Sequence, residues 1–238
     1  MSRCVNSMRN VAAAFLNQFI IIVLNFVLRT VFIKTLGSQY LGIGGLFLNI
    51  LSMLSLAEMG LGSAIAFHMY KPLAENDKEQ IHRLLWFYKT VYRYIGFVIL
   101  GVGLVLLPFL PKLLKEQPDF INIYITYLLY LSQSVSTYFF MAYKGTLFRA
   151  DQKTYVINDI SNLTTIITVV LQAIVLLLFK SFYLYIIIQT IMNIIQSFII
   201  SAKCNKQYPF VKERYSSKLS KEKVKEMLQL VYIFFSVI

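Results

Sequence analysis

What most constrains this chain is a succession of long, unbroken apolar runs. Crossing roughly 30 Å of hydrocarbon at about 1.5 Å per helical residue takes roughly 20 mostly apolar residues. Stretches 11–36, 41–70, 86–110, 120–143, 156–179 and 182–202 meet that requirement. A seventh run begins at Met227 and stops at Ile238, too short to cross. The runs are continuous rather than alternating, which argues against a transmembrane β-barrel. The first is far longer than a signal-peptide core and no small-x-small site follows it, so it is expected to remain as an anchor. The expected fold is all-α: a polytopic membrane protein of six transmembrane helices plus a truncated seventh. Residues 1–203 form the six-helix unit, 204–226 a basic linker, and 227–238 the start of another helical group.

Composition agrees. Hydrophobic residues make up 58% of the 238 and charged residues 14%, with a mean hydropathy of +0.64. Soluble domains average roughly 45–50% and about 25%. The net charge of +12 would suggest nucleic acid in a soluble protein, but the location of the charges gives another reading. Alternate connections assigned to one side collect Arg3 and Arg9, then Lys71, Lys78, Arg83, Lys89 and Arg93, then Lys144, Arg149 and Lys153. The same side takes eight more between Lys203 and Lys225. That places 18 of the 23 Lys and Arg on one side and only Arg29, Lys34, Lys112, Lys115 and Lys180 on the other. By the positive-inside rule the N-terminus is cytoplasmic, and no nucleic-acid partner is implied. Two connections stand out as long, 71–85 and 203–226.

Cys4 and Cys204 both fall on the cytoplasmic side, where thiols stay reduced, and two distant Cys and two His have no metal-ligand spacing. No phosphate-binding glycine loop, nucleophile elbow or carboxylate pair is present. No enzyme chemistry, metal or cofactor is expected.

Polar residues within the spans are the candidate site. Ionisable groups at a helix centre cost about 2.5–3.5 kcal/mol on insertion scales, so they face protein or water. Gln18, Asn25 and Arg29 lie at i, i+7 and i+11, on one helical face, continued a turn over by Asn10 and Asn17. In the second run Asn49, Ser52, Ser55 and Glu58 step by three, with Gly60 and Gly62 allowing close helix approach. Glu58 is the one carboxylate deep in a run. Arg29 either pairs with Glu58 so that both charges survive in the bilayer, or presents a cationic lining to an anionic substrate; Glu58 either orients Arg29 or takes a coupling cation. Uncharged stripes follow: Gln133, Ser136 and Thr137; Asn158, Asn162, Thr165, Thr168 or Val169, and Gln172, with Ser161 beside them; and Gln189, Asn193, Gln196 and Ser197. Each is either interhelical glue or part of a shared hydrated cavity. Asp159 is expected in the first turn of its helix, suited to the helix dipole. Lys89 and Arg93, four apart beside Tyr88 and Tyr92, are either snorkelling anchors or basic residues of a cytoplasmic mouth.

Specific strings carry a resemblance. Leu36-Gly37-Ser38-Gln39-Tyr40-Leu41-Gly42-Ile43 running into Leu46-Phe47, and Leu56-Ala57-Glu58-Met59-Gly60-Leu61-Gly62-Ser63-Ala64-Ile65, resemble the second-helix signature of capsular and O-antigen repeat-unit flippases. That family belongs to the multidrug/oligosaccharidyl-lipid/polysaccharide exporter superfamily. Met69-Tyr70-Lys71-Pro72-Leu73-Ala74 and Arg149-Ala150-Asp151-Gln152-Lys153-Thr154-Tyr155 look like two cytoplasmic loop motifs of such proteins. The resemblance implies one lobe of a two-lobed transporter of 12 to 14 helices in the bacterial cytoplasmic membrane. Such a transporter flips undecaprenyl-diphosphate-linked oligosaccharide by alternating access, for surface polysaccharide biosynthesis. Arg29 matches a position where such flippases carry a cavity arginine. Arg29 with Arg93 would hold the diphosphate, while Asn25, Gln18 and tyrosines meet sugar hydroxyls; Glu58 belongs to the same set. The implied partners are the lipid-linked oligosaccharide, the bilayer, and a second lobe or second copy, since the chain's length matches one lobe and a stub. The alternatives are a multidrug or cation antiporter of the same superfamily, a membrane enzyme of polysaccharide assembly, and a non-transporting membrane fragment.

Overall fold

The structure, a computed structural model, describes residues 3–55, 61–113, 121–139 and 142–212, and every regular element in them is helical. In chain order these are α1 (Arg3–Leu36), α2 (Ser38–Ser55), α3 (Leu61–Ala74), α4 (Lys78–Leu106), α5 (Leu110–Leu113), α6 (Ile123–Phe139), α7 (Ala142–Ala150), α8 (Thr154–Phe179) and α9 (Phe182–Gln207). A 3₁₀ turn, Leu107–Phe109, joins α4 to α5, and another, Pro209–Lys212, follows α9. Among the described residues four segments are long and apolar enough to cross a membrane: Gln18–Leu36, Lys78–Lys112, Thr154–Phe179 and Phe182–Gln207. The chain is therefore an all-α protein with the helices of a membrane protein. A shorter apolar helix, Ser38–Leu54, lies beside them.

Helix ends are set by local chemistry. Gly37, at φ +97°, takes the left-handed conformation that lets its N–H return to the Ile33 carbonyl (3.0 Å), closing α1 before α2 begins. Lys180 does the same after α8, at φ 47°, and the Ser181 hydroxyl then accepts from the Leu184 N–H to start α9. Asn122 caps α6 through its side-chain oxygen, which accepts from the N–H groups of Tyr124 and Ile125 at 3.1 Å each.

Three expectations change. Residues 71–85 are not a long loop: α3 runs to Ala74 and α4 starts at Lys78, because Asp77 caps α4 by accepting from the Gln80 N–H at 2.9 Å. Asp159 is not in a first turn, since α8 starts at Thr154; it is an exposed residue one turn further in. Residues 144 and 149 are not loop cations, because 142–150 are helical and Lys144 is buried. α9 continues through residues 203 and 204 to Gln207 and the 3₁₀ turn Pro209–Lys212 follows, so the first part of the expected linker is helical; residues 213–226 of it and the seventh run fall outside the described residues.

α8 packs between α1 and α9, α9 packs on α6, and α6 on α4. Glycines decide the last contact. A Cβ on Gly103 would stand 2.5 Å from Leu131 Cδ1, and one on Gly96 would stand 2.9 Å from Tyr138 Cβ, so α4 meets α6 along a face seven residues apart that only hydrogen atoms line. Tyr127 Oη donates to the Gly103 carbonyl at 3.0 Å across the same contact. Gly62 brings α3 to α4 in the expected manner, its added Cβ lying 3.2 Å from Tyr88 Oη, while Gly60 lies outside the described residues.

The buried side chains fall into two cores. One, at the end of the molecule where α1 closes and α9 begins, gathers Phe32, Phe47, Tyr127, Tyr130, Leu131, Phe182 and Ile186. The other gathers Ile65 and Met69 of α3, Leu84 and Tyr88 of α4, Leu147 and Phe148 of α7, and Cys204 and Tyr208 at the far end of α9.

Candidate functional site

The first core is built from rings meeting edge to face. Phe32 meets Phe182 at 5.8 Å and Tyr185 at 5.0 Å, and Tyr40 meets Phe182 at 5.1 Å. Rings packed edge to face around helix ends leave gaps that aliphatic side chains would fill. Here the gap is a cavity of about 420 Å³ bounded by α1, α2, α6 and α9. Arg29, Tyr40, Tyr130, Gln133, Tyr185 and Gln189 line it, among apolar neighbours. A second cavity of about 240 Å³ adjoins it, with Ser52, Ser134, Thr137 and Asn193 in its wall. Leu48, Tyr130 and Gln133 belong to both, so the two form one groove between α2, α6 and α9.

Arg29 is the charged side chain in this lining among the described residues. Behind the groove wall, a chain of amides sets the orientation of the polar groups. Gln172 of α8, 1% exposed, donates through Nε2 to the Tyr185 carbonyl (3.1 Å) and to Gln189 Oε1 (3.2 Å). Gln189 Nε2 then donates to Asn193 Oδ1 (3.1 Å), an order that leaves the Nδ2 donors of Asn193 for the groove. The wall therefore offers a cation and N–H donors, which suits an acceptor-rich, anionic ligand.

The sequence-derived candidates part company here. Arg29 is in the lining, whereas Asn25 and Gln18 are exposed on α1 outside it, and Asn25 Nδ2 turns back to the Ile21 carbonyl at 2.9 Å. Arg93 is exposed on α4, one turn from Lys89, whose Nζ sits 5.7 Å from the centroid of the Tyr143 ring near the second core. The structure thus does not bring Arg93 to Arg29's groove. Glu58 lies outside the described residues. Of the stripes, Gln133, Thr137, Gln189 and Asn193 reach the groove. The α8 stripe is glue instead: Thr164 donates to Gln196 Oε1 (3.0 Å), and Gln196 Nε2 donates to Ser161 (2.8 Å). Thr164 was missed in that stripe, and Tyr130 in the groove. Tyr130, Gln133, Ser134 and Thr137 recur at i, i+3, i+4 and i+7, so helical spacing from the polar residues was the signal that pointed to Tyr130.

At the opposite end a lysine is enclosed. Lys144 of α7, 7% exposed, donates to Ser201 Oγ (2.9 Å) and Asn205 Oδ1 (2.7 Å) of α9. The string 149–155 forms the end of α7, a turn with Gln152 at φ 56°, and the start of α8. Its Asp151 accepts from Tyr208 Oη and pairs with Lys153. Burial opposes ionisation of Asp151, but the hydrogen bonds from Lys153 and Tyr208 and the charge of Lys153 outweigh it, holding the carboxyl below its ordinary value. Burial and the same carboxylate push the Tyr208 phenol up. Among the described residues no three His, Cys, Asp or Glu side chains converge as metal ligands would. No family model matches this chain, and no curated protein or solved structure matches it either.

Proposed function

We propose that this chain is the first lobe of a flippase for lipid-linked oligosaccharides, with the groove beside Arg29 as its substrate surface. In this reading α2 with α3, and α6 with α7, form the second and fourth of six spans, and the N-terminus is cytoplasmic. The observation that carries the proposal is Arg29: a guanidinium within a segment apolar enough to span a membrane, lining a cavity whose other polar groups are amides, hydroxyls and phenols. A cation placed at membrane depth is stabilised by an anion or by water, and a diphosphate supplies the anion bidentately. Tyr40, Tyr130 and Tyr185 supply ring faces and hydroxyls of the kind that meet sugars, and Asn193 supplies N–H donors.

The lipid tail would remain in the bilayer while the head group occupies the groove. Transport requires the groove to open alternately to the two sides, by rocking against a second lobe or a second copy of the chain. The polar face of α1, with Gln18, Asn25 and Arg29 exposed on it, is the surface that such a partner or a water-filled cleft would cover. The test is restoration of surface polymer in cells lacking their own repeat-unit flippase, using this chain together with the second lobe. Export that depends on Arg29 supports the reading. Export unchanged by Arg29→Ala overturns it.

A further inference from the structure

Outside the groove, α4 and α7 hold a second concentration of positive charge. No residue between 93 and 112 is charged, and that stretch rises about 28 Å, close to the roughly 30 Å of a hydrocarbon core. Arg93 and Lys112 therefore bracket the apolar layer. Lys89 stands one turn further out, about 6 Å, at the depth of lipid head groups. Lys89 and Arg93 are four apart on one face of α4, where like charges repel, and neither makes an ion pair among the described residues.

Snorkelling alone would send both side chains out to water. Lys89 is instead half-buried, its Nζ 5.7 Å from the centroid of the Tyr143 ring of α7, and Lys144 Nζ stands 5.9 Å from the same centroid. The charge of Arg93 reaches both Lys89 and the Tyr143 phenol. One turn toward the middle of the span, exposed Phe97 meets Phe139 of α6 edge to face at 4.9 Å, so the surface beneath the cations is apolar. We propose that Lys89, Arg93 and Tyr143 form a binding site for the phosphate of a bilayer phospholipid with net negative charge, its acyl chains lying on the Phe97–Phe139 face. The phosphate accepts hydrogen bonds from the ammonium, the guanidinium and the phenol, and offsets the repulsion between the two cations. A zwitterionic lipid suits the site less well, because it brings a positive group to the same cations. The site goes beyond the flippase reading and does not depend on it.

Trp86, the one tryptophan of the chain, is exposed three residues before Lys89, so its fluorescence reports which lipid occupies the site. The purified full chain is placed in nanodiscs of phosphatidylcholine that contain, at equal fraction, either phosphatidylglycerol or phosphatidylcholine with brominated chains. Phosphatidylglycerol is expected to quench Trp86 as if enriched about tenfold over phosphatidylcholine. Arg93→Gln reduces the preference to about threefold, and Lys89→Gln with Arg93→Gln brings it within about twofold. Lys112→Gln, at the other end of the segment, leaves it unchanged. Equal quenching by the two lipids in the parent overturns the site, and that comparison decides even if the double variant does not fold. A preference that survives the double substitution in a folded protein overturns it as well. Relief of quenching by unbrominated phosphatidylglycerol supports the site, whereas stronger relief by the same fraction of undecaprenyl diphosphate overturns it, since the seat then belongs to the transported lipid. Polymer export plays no part in the quenching, so this site and the flippase reading fail on different measurements.

Discussion

Arg29 and Lys144 are both cations within the helical body, yet the two ends of the molecule treat them differently. At the closed end, α9 brings Ser201 and Asn205 to Lys144, and the ammonium is buried with its hydrogen bonds made inside the fold. At the open end, Arg29 faces a cavity whose described lining holds no carboxylate. A cation whose partners are supplied by the fold contributes to stability. One that lines a groove with no described carboxylate beside it is, on the proposed function, the group a ligand would meet.

The largest effect expected from breaking this contrast lies at the closed end. Asn205→Leu removes an acceptor from a buried ammonium and should cost about 2–3 kcal/mol, lowering Tm by roughly 5–10 °C in intrinsic fluorescence melts. Arg29→Ala should do the reverse. Binding of undecaprenyl diphosphate in detergent should weaken about 30-fold, corresponding to roughly 2 kcal/mol for a charge-assisted contact, while Tm moves by no more than about 2 °C. A large Tm loss in Arg29→Ala with unchanged binding would show that the two cations share a structural role.

Gln172→Leu sharpens the comparison from behind the groove. It leaves Gln189 Oε1 and the Tyr185 carbonyl without their donor and should cost about 1–2 kcal/mol, with weaker ligand binding as Asn193 loses its fixed orientation. The smallest effect belongs to Asp151. Its carboxyl is held below the ordinary 3.8, so the folded state gains from ionisation above that value and loses the gain as pH falls through the depressed one. Asp151→Asn should therefore lower Tm at pH 7 by about 1–2 °C, as fits a partly exposed pair, and the difference from the parent should shrink as pH falls below 3.8 and through the depressed value.

Much of the fold could be read before any coordinates. The apolar runs at 86–110, 156–179 and 182–202 lie within α4 to α5, α8 and α9, because a continuous apolar stretch of that length has few other stable forms in a bilayer. Arg29, Gln189 and Asn193 could be picked out by helical spacing alone. Lys144 could not. It counted as one more basic residue of a connection, and its burial depends on Ser201 and Asn205, more than fifty residues away. The α4–α6 contact was hidden for a similar reason: Gly96 and Gly103 look like ordinary glycines of an apolar run until Tyr138 and Leu131 are set against them. Tyr130 was grouped with the general aromatic content, although its helical spacing from Gln133 and Thr137 puts it on the face that lines the groove.

By itself the sequence determined that the chain is helical and built for an apolar surrounding, because each helix satisfies its own backbone and the length and spacing of apolar residues decide where it does so. Only the tertiary structure decided which polar side chains are spent within the fold and which are left lining the groove. Hydrogen-bond satisfaction is a property of pairs brought together from distant parts of the chain: Lys144 meets Ser201, Gln172 meets Gln189, and Arg29 meets the groove.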